Sequence, residues 1–84
     1  MVNLFMSNET ADRFLLKLYE KTGHKEGLQS IDKYEIGEQI GLLDKIQTDH
    51  IVETLVKDGF VNWDLSDSEI RITEEGKKRI SKSN

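Results

Sequence analysis

Residues 35–48 read Glu-Ile-Gly-Glu-Gln-Ile-Gly-Leu-Leu-Asp-Lys-Ile-Gln-Thr, and this stretch decides the fold. Ile36 and Ile40 recur at the four-residue spacing that sets both on one side of a short helix. Asp32 and Glu35 precede them as a D-x-x-E capping box, in which side chains satisfy backbone N–H groups at the helix start. Gly41 is its stop. Asp44 is the next N-cap, and Thr48, Ile51, Val52 and Leu55 share one face of a third helix over about 45–58. Gly41-Leu42-Leu43-Asp44 is the short turn that folds one helix back on the next as a helix-turn-helix pair. Gly37 lies inside the first of the two, where glycine costs about 1 kcal/mol relative to alanine. Either another helix crosses closely there or the position has drifted.

Upstream, Ser7-Asn8 offers an N-cap, and Glu9 and Asp12 suit the positive end of a helix. Ala11, Phe14, Leu15, Leu18 and Tyr19 then give helical spacing over about 9–22, with Gly23 as the stop and a polar loop beyond. Downstream, Gly59 permits the positive φ needed where helix turns into strand. Phe60-Val61-Asn62-Trp63-Asp64-Leu65 alternates with period two, which predicts a strand with Trp63 on the core side. Ser66-Asp67-Ser68 is a turn and Ile70-Arg71-Ile72 the return strand of a hairpin. Thr73 caps a last helix whose apolar contact is Ile80, and residues 81–84 form a fraying tail.

Three segments, in this order, resemble the winged helix-turn-helix domains of bacterial and archaeal regulators, including the MarR-type group. Glu35–Leu42 resembles the E-L-A-x-x-L-G-L second helix and turn. Glu53-Thr54-Leu55-Val56-Lys57-Asp58-Gly59-Phe60-Val61 resembles the x-x-L-x-x-x-G-L-V end of the recognition helix. Ile70-Arg71-Ile72-Thr73-Glu74-Glu75-Gly76-Lys77 resembles the x-x-L-T-x-x-G-K/R return strand and closing helix. The resemblance covers about residues 10–80, the minimal domain. It implies an α+β, mostly α fold: a three-helix core, a two-stranded β wing and a short C-terminal helix. It also implies duplex DNA as a partner, with the third helix in the major groove.

The bulk numbers narrow the remaining classes. Eighty-four residues make a single domain over 1–84, with a core thin enough that a partner would stabilise it. The absence of Cys excludes disulfides, thiolate catalysis and Cys-based zinc sites. No Ser/His/Asp set, glycine-rich phosphate loop or metal-ligand spacing occurs, and His24 and His50 have no carboxylate at ligand spacing. The expectation is a non-enzyme with no cofactor, no metal and no evident small-molecule ligand. The apolar run 1–6 is short for a signal peptide or a membrane span, so a cytoplasmic protein without membrane contact is expected.

On the third helix, Lys45, Ile46, Gln47, His50, Thr54 and Lys57 are the candidate DNA contacts. Gln47 suits adenine, Ile46 a thymine methyl, and the two lysines phosphate. Asp49 and Glu53 oppose them by facing the polyanion. Arg71, Lys77 and Lys78 are candidate backbone contacts on the wing and closing helix, although Asp64, Asp67 and Glu69 make the wing acidic. The basic run Lys77-Lys78-Arg79-Lys82 equally suits the negative end of a helix dipole. Val2, Leu4, Phe5 and Met6 form an apolar N-terminal arm that either covers the chain's own core or docks on a second copy. With a net charge of −4, two functions stand. One is a DNA-binding transcription regulator with weak or partner-dependent affinity. The other is a protein-protein interaction module, a homodimer or adaptor.

Overall fold

In the computed structural model, the backbone is described for residues 4–23, 30–64 and 68–82, and side chains for 9–22, 30–64 and 68–81. The chain runs α1 (Leu4–Leu18), one π-helical turn (Tyr19–Gly23), β1 (Ile31–Asp32), α2 (Lys33–Gln39), α3 (Lys45–Lys57), β2 (Val61–Trp63), β3 (Glu69–Ile72) and α4 (Glu74–Lys82). It is an α+β, mostly helical arrangement with one small antiparallel sheet of order β1-β3-β2.

The first helix starts at Leu4 rather than near residue 9, so Ser7-Asn8 lies inside it and Leu4, Phe5 and Met6 belong to its first turn. Val2, His24, Leu65, Ser66 and Asp67 lie outside the described residues, as do the side chains of Leu4, Phe5 and Met6; the dimer-contact expectation falls on these positions. From α1, Phe14, Leu15 and Leu18 point inward and are fully buried, each contributing about 1.5–3 kcal/mol relative to exposure. They meet Ile36, Val52, Leu55, Val61 and Ile70 in one cluster, with Phe60 and Ile80 packed against its edge.

Asp32 and Asp44 both act as N-caps, Asp32 through Tyr34 rather than through the expected box with Glu35. Asp32 accepts from Tyr34 N at 2.9 Å and Asp44 from Ile46 N at 2.9 Å. Gly41 and Gly59 take φ of 91° and 85°, the left-handed conformation that ends α2 and turns α3 into β2. Gly37 marks a close crossing: a methyl group there would overlap the Thr48 side chain of α3. Thr73 donates to Gly59 O at 2.7 Å and accepts from Gly76 N at 3.0 Å, joining the hairpin base to the start of α4. A side chain at Gly76 would overlap the Phe60 carbonyl, so this glycine lets α4 lie against the strand entrance.

Two further features differ from the sequence expectation. The hairpin gains a third strand, because Ile31 and Asp32 pair with Ile70 and Glu69. Asp32 and Glu69 are like charges directly opposite, which disfavours pairing. The Asp32 carboxylate is turned to the α2 N-terminus, and Glu69 accepts from Ser30 Oγ at 3.3 Å. The second difference is Trp63. It is 39% exposed rather than in the core, although its register partner Ile70 is fully buried. Its ring instead covers the Lys33 ammonium at 4.8 Å. Among the described residues, no helix is long and apolar enough to cross a membrane.

Candidate functional site

The helical period of α3 divides its side chains between two environments. Thr48, Val52 and Leu55 are buried, whereas Lys45, Ile46, Gln47, His50, Glu53, Thr54 and Lys57 are exposed. All six candidate DNA contacts of this helix are therefore exposed, with Lys45 on the side of Tyr34 and Gln47 beside the groove toward α1. Ile46 is 68% exposed, and Leu43 in the preceding turn is 86% exposed. The Thr54 hydroxyl is partly spent on its own helix, donating to His50 O at 3.1 Å. Beside this surface, between α1 and α3, lies a groove of about 370 Å3 lined by Thr10, Ala11, Leu42, Gln47, His50, Ile51 and Thr54.

Asp49 does not stand among the outward charges as expected. Its carboxylate turns toward α2, where the same oxygen, Oδ1, meets Lys33 Nζ at 2.9 Å and accepts from the Tyr34 hydroxyl at 2.8 Å. The Lys33 side chain is only 10% exposed. Its ammonium also lies over the Tyr34 ring at 5.1 Å, and Lys45 Nζ lies over the same ring at 4.9 Å. Trp63, Lys33, Tyr34 and Lys45 thus alternate ring and cation from β2 to the start of α3, an arrangement favoured by the ring quadrupole.

The protonation equilibria follow from this geometry. Burial pulls the Lys33 ammonium down, but the Asp49 hydrogen bond and charge outweigh it, and the net shift is upward. Lys33 in turn holds the Asp49 carboxyl below its ordinary range, against the effect of partial burial and with help from Tyr34 and Lys45. Donation to Asp49 raises the Tyr34 hydroxyl. At neutral pH the site holds a lysine–carboxylate ion pair and a neutral phenol.

Elsewhere the expected cations are engaged within the chain. Arg71 Nη1 meets Asp64 Oδ1 at 2.9 Å, both part-buried on the hairpin. Lys77 meets Glu74 at 3.5 Å and Lys78 meets Glu75 at 3.9 Å, each one turn apart on α4. Arg79 binds both oxygens of Asp12 at 3.2 Å, tying α4 to α1. The six candidate contacts of α3 are therefore exposed. Arg71, Lys77 and Lys78 sit in ion pairs on the hairpin and α4.

Lys33 and Tyr34 were not singled out by sequence reasoning. A lysine at the first position of a helix ordinarily reads as solvated, and its partner lies on a different helix. Comparison with protein-family models, curated proteins and solved structures finds no match to this chain.

Proposed function

We propose that the chain is a winged helix-turn-helix domain that binds duplex DNA through the outward face of α3, with modest affinity supplemented by a partner or a second copy. One observation carries this: Asp49 is paired with Lys33 and Tyr34, so α3 presents Lys45, Gln47, His50 and Lys57 with Glu53 as the acid remaining on that face. Lys45 and Lys57 supply phosphate contacts, and Gln47 and Ile46 meet base edges. The Gly41 turn and the close Gly37–Thr48 crossing support the helix-turn-helix part of this reading. The net charge of −4 and the Arg71–Asp64 pair limit the electrostatic contribution, which is why affinity is modest.

A mobility-shift titration with a random-sequence duplex pool at low salt tests this. The expected result is a shift that rising salt removes and that Lys57→Glu weakens. No shift at any protein concentration contradicts it.

A second reading is a protein-interaction module, homodimer or adaptor. The observation favouring it is the pair of outward apolar side chains Leu43 and Ile46. Sedimentation of the wild type and of Leu43→Asp distinguishes the homodimer version: a dimer that dissociates in the variant supports it, and a wild-type monomer counts against it.

A further inference from the structure

We infer that Lys33 is a positioning residue for the DNA-facing surface of α3: its ammonium neutralises Asp49 and holds the carboxylate toward α2, so the helix meets a polyanion without that opposing charge. This rests on the DNA-binding function proposed above and extends it to a residue whose side chain is only 10% exposed.

Asp49 stands between buried Thr48 and exposed His50, at the flank of α3 where an unpaired carboxylate would turn toward solvent. Two donors converge on its Oδ1, Lys33 Nζ at 2.9 Å and the Tyr34 hydroxyl at 2.8 Å. Lys33 is fixed on several sides. Its backbone N–H donates to Ser68 O at 2.8 Å, extending the β1–β3 ladder, and its ammonium lies over Trp63 and Tyr34. A lysine this enclosed is expensive to bury without a counter-charge, and Asp49 supplies it. Glu53, on the same helix, has no ion pair among the described residues. Of the two acids on this helix, Asp49 is the one that is paired.

A purely structural tie between α2 and α3 would behave differently when both partners are neutralised, so a double-mutant cycle separates the two. Binding of a labelled random-sequence duplex is measured by fluorescence anisotropy at low salt for the wild type, Lys33→Met, Asp49→Asn and the double variant, with thermal melts recorded separately. Lys33→Met frees the Asp49 charge and weakens binding about tenfold, the scale of one like charge set against a phosphate surface. Asp49→Asn leaves an additional cation near the interface and tightens binding about threefold. The double variant binds at least as tightly as wild type, because the opposing charge is gone; simple additivity of the two single effects would leave it about threefold weaker.

A double variant about threefold or more weaker than wild type overturns the inference, as does Lys33→Met that binds like wild type or Asp49→Asn that binds less tightly than wild type. Should Lys33→Met fail to fold, Tyr34→Phe removes one of the two donors while keeping the ion pair. It then weakens binding about twofold, and no loss overturns the inference. A wild type that does not bind at all overturns the DNA-binding function itself, an outcome distinct from binding without coupling.

Discussion

Thr48 of α3 occupies the space that a side chain at Gly37 of α2 would need. The close α2–α3 approach depends on this contact, since Thr48 is 1% exposed and has no room to swing away. Gly37→Ala gains about 1 kcal/mol in helix propensity but overpacks a buried contact at a cost of about 1–3 kcal/mol. The expected net result is a loss of stability, seen as a melting temperature lower by several degrees. Adding Thr48→Ala makes the same methyl acceptable and recovers most of the loss, a coupling between neighbours that a thermal-denaturation cycle measures.

Thr73 connects two elements through one hydroxyl, accepting from Gly76 N and donating to Gly59 O. Thr73→Val keeps the shape and removes both bonds. It costs about 1–2 kcal/mol, the usual worth of an N-cap, and is checked by urea denaturation. Thr73→Ser retains the hydroxyl and stays close to wild type.

The Lys33–Asp49 pair makes stability depend on pH at both extremes. Asp49 is held below its ordinary value of 3.8, so its contribution is complete above that value and is lost as pH falls through it toward the folded pKa. Lys33 is held above 10.5, so its contribution is complete below that value and is lost as pH rises through the raised folded pKa. Urea midpoints measured against pH should therefore fall less steeply below about pH 4 in Asp49→Asn than in wild type.

Trp63 gives a direct contrast with the core position that strand alternation predicts. A buried Trp replaced by Ala costs about 3–5 kcal/mol. With a ring 39% exposed and resting on Lys33, the loss expected for Trp63→Ala is about 1–2 kcal/mol, from the cation–π contact and partial burial. Chemical denaturation followed by circular dichroism distinguishes these values. As the chain's one Trp, it also reports any change at Lys33 through its fluorescence.

Which features were legible in the sequence follows from the range of the interactions involved. Asp32, Asp44, Gly41, Gly59 and Thr73 act within a few residues of themselves, and each does what its local spacing predicts. Gly37 was legible as a position to explain, because a glycine inside a helix needs a reason, and the Thr48 contact is that reason. The strand Ile31–Asp32 was not, since two residues carry no period and Asp32 already reads as a cap. The start of α1 was misplaced because Ser7-Asn8 has the chemistry of a cap yet lies within the helix. The outward face of α3 followed from its period, but the pairing of Asp49 depends on Lys33 and Tyr34 in α2. Long-range ion pairs of this kind leave no local pattern.

The salt dependence of duplex binding tests the central claim most directly. Anisotropy titrations of wild type and Lys45→Glu across a range of salt give the slope of log affinity against log salt. If α3 contacts phosphate through Lys45, wild-type affinity falls steeply with salt, and Lys45→Glu both weakens binding and makes the slope shallower by about one. A wild type that shows no saturable binding at low salt, or a Lys45→Glu curve that superimposes on it, would contradict DNA binding through this helix.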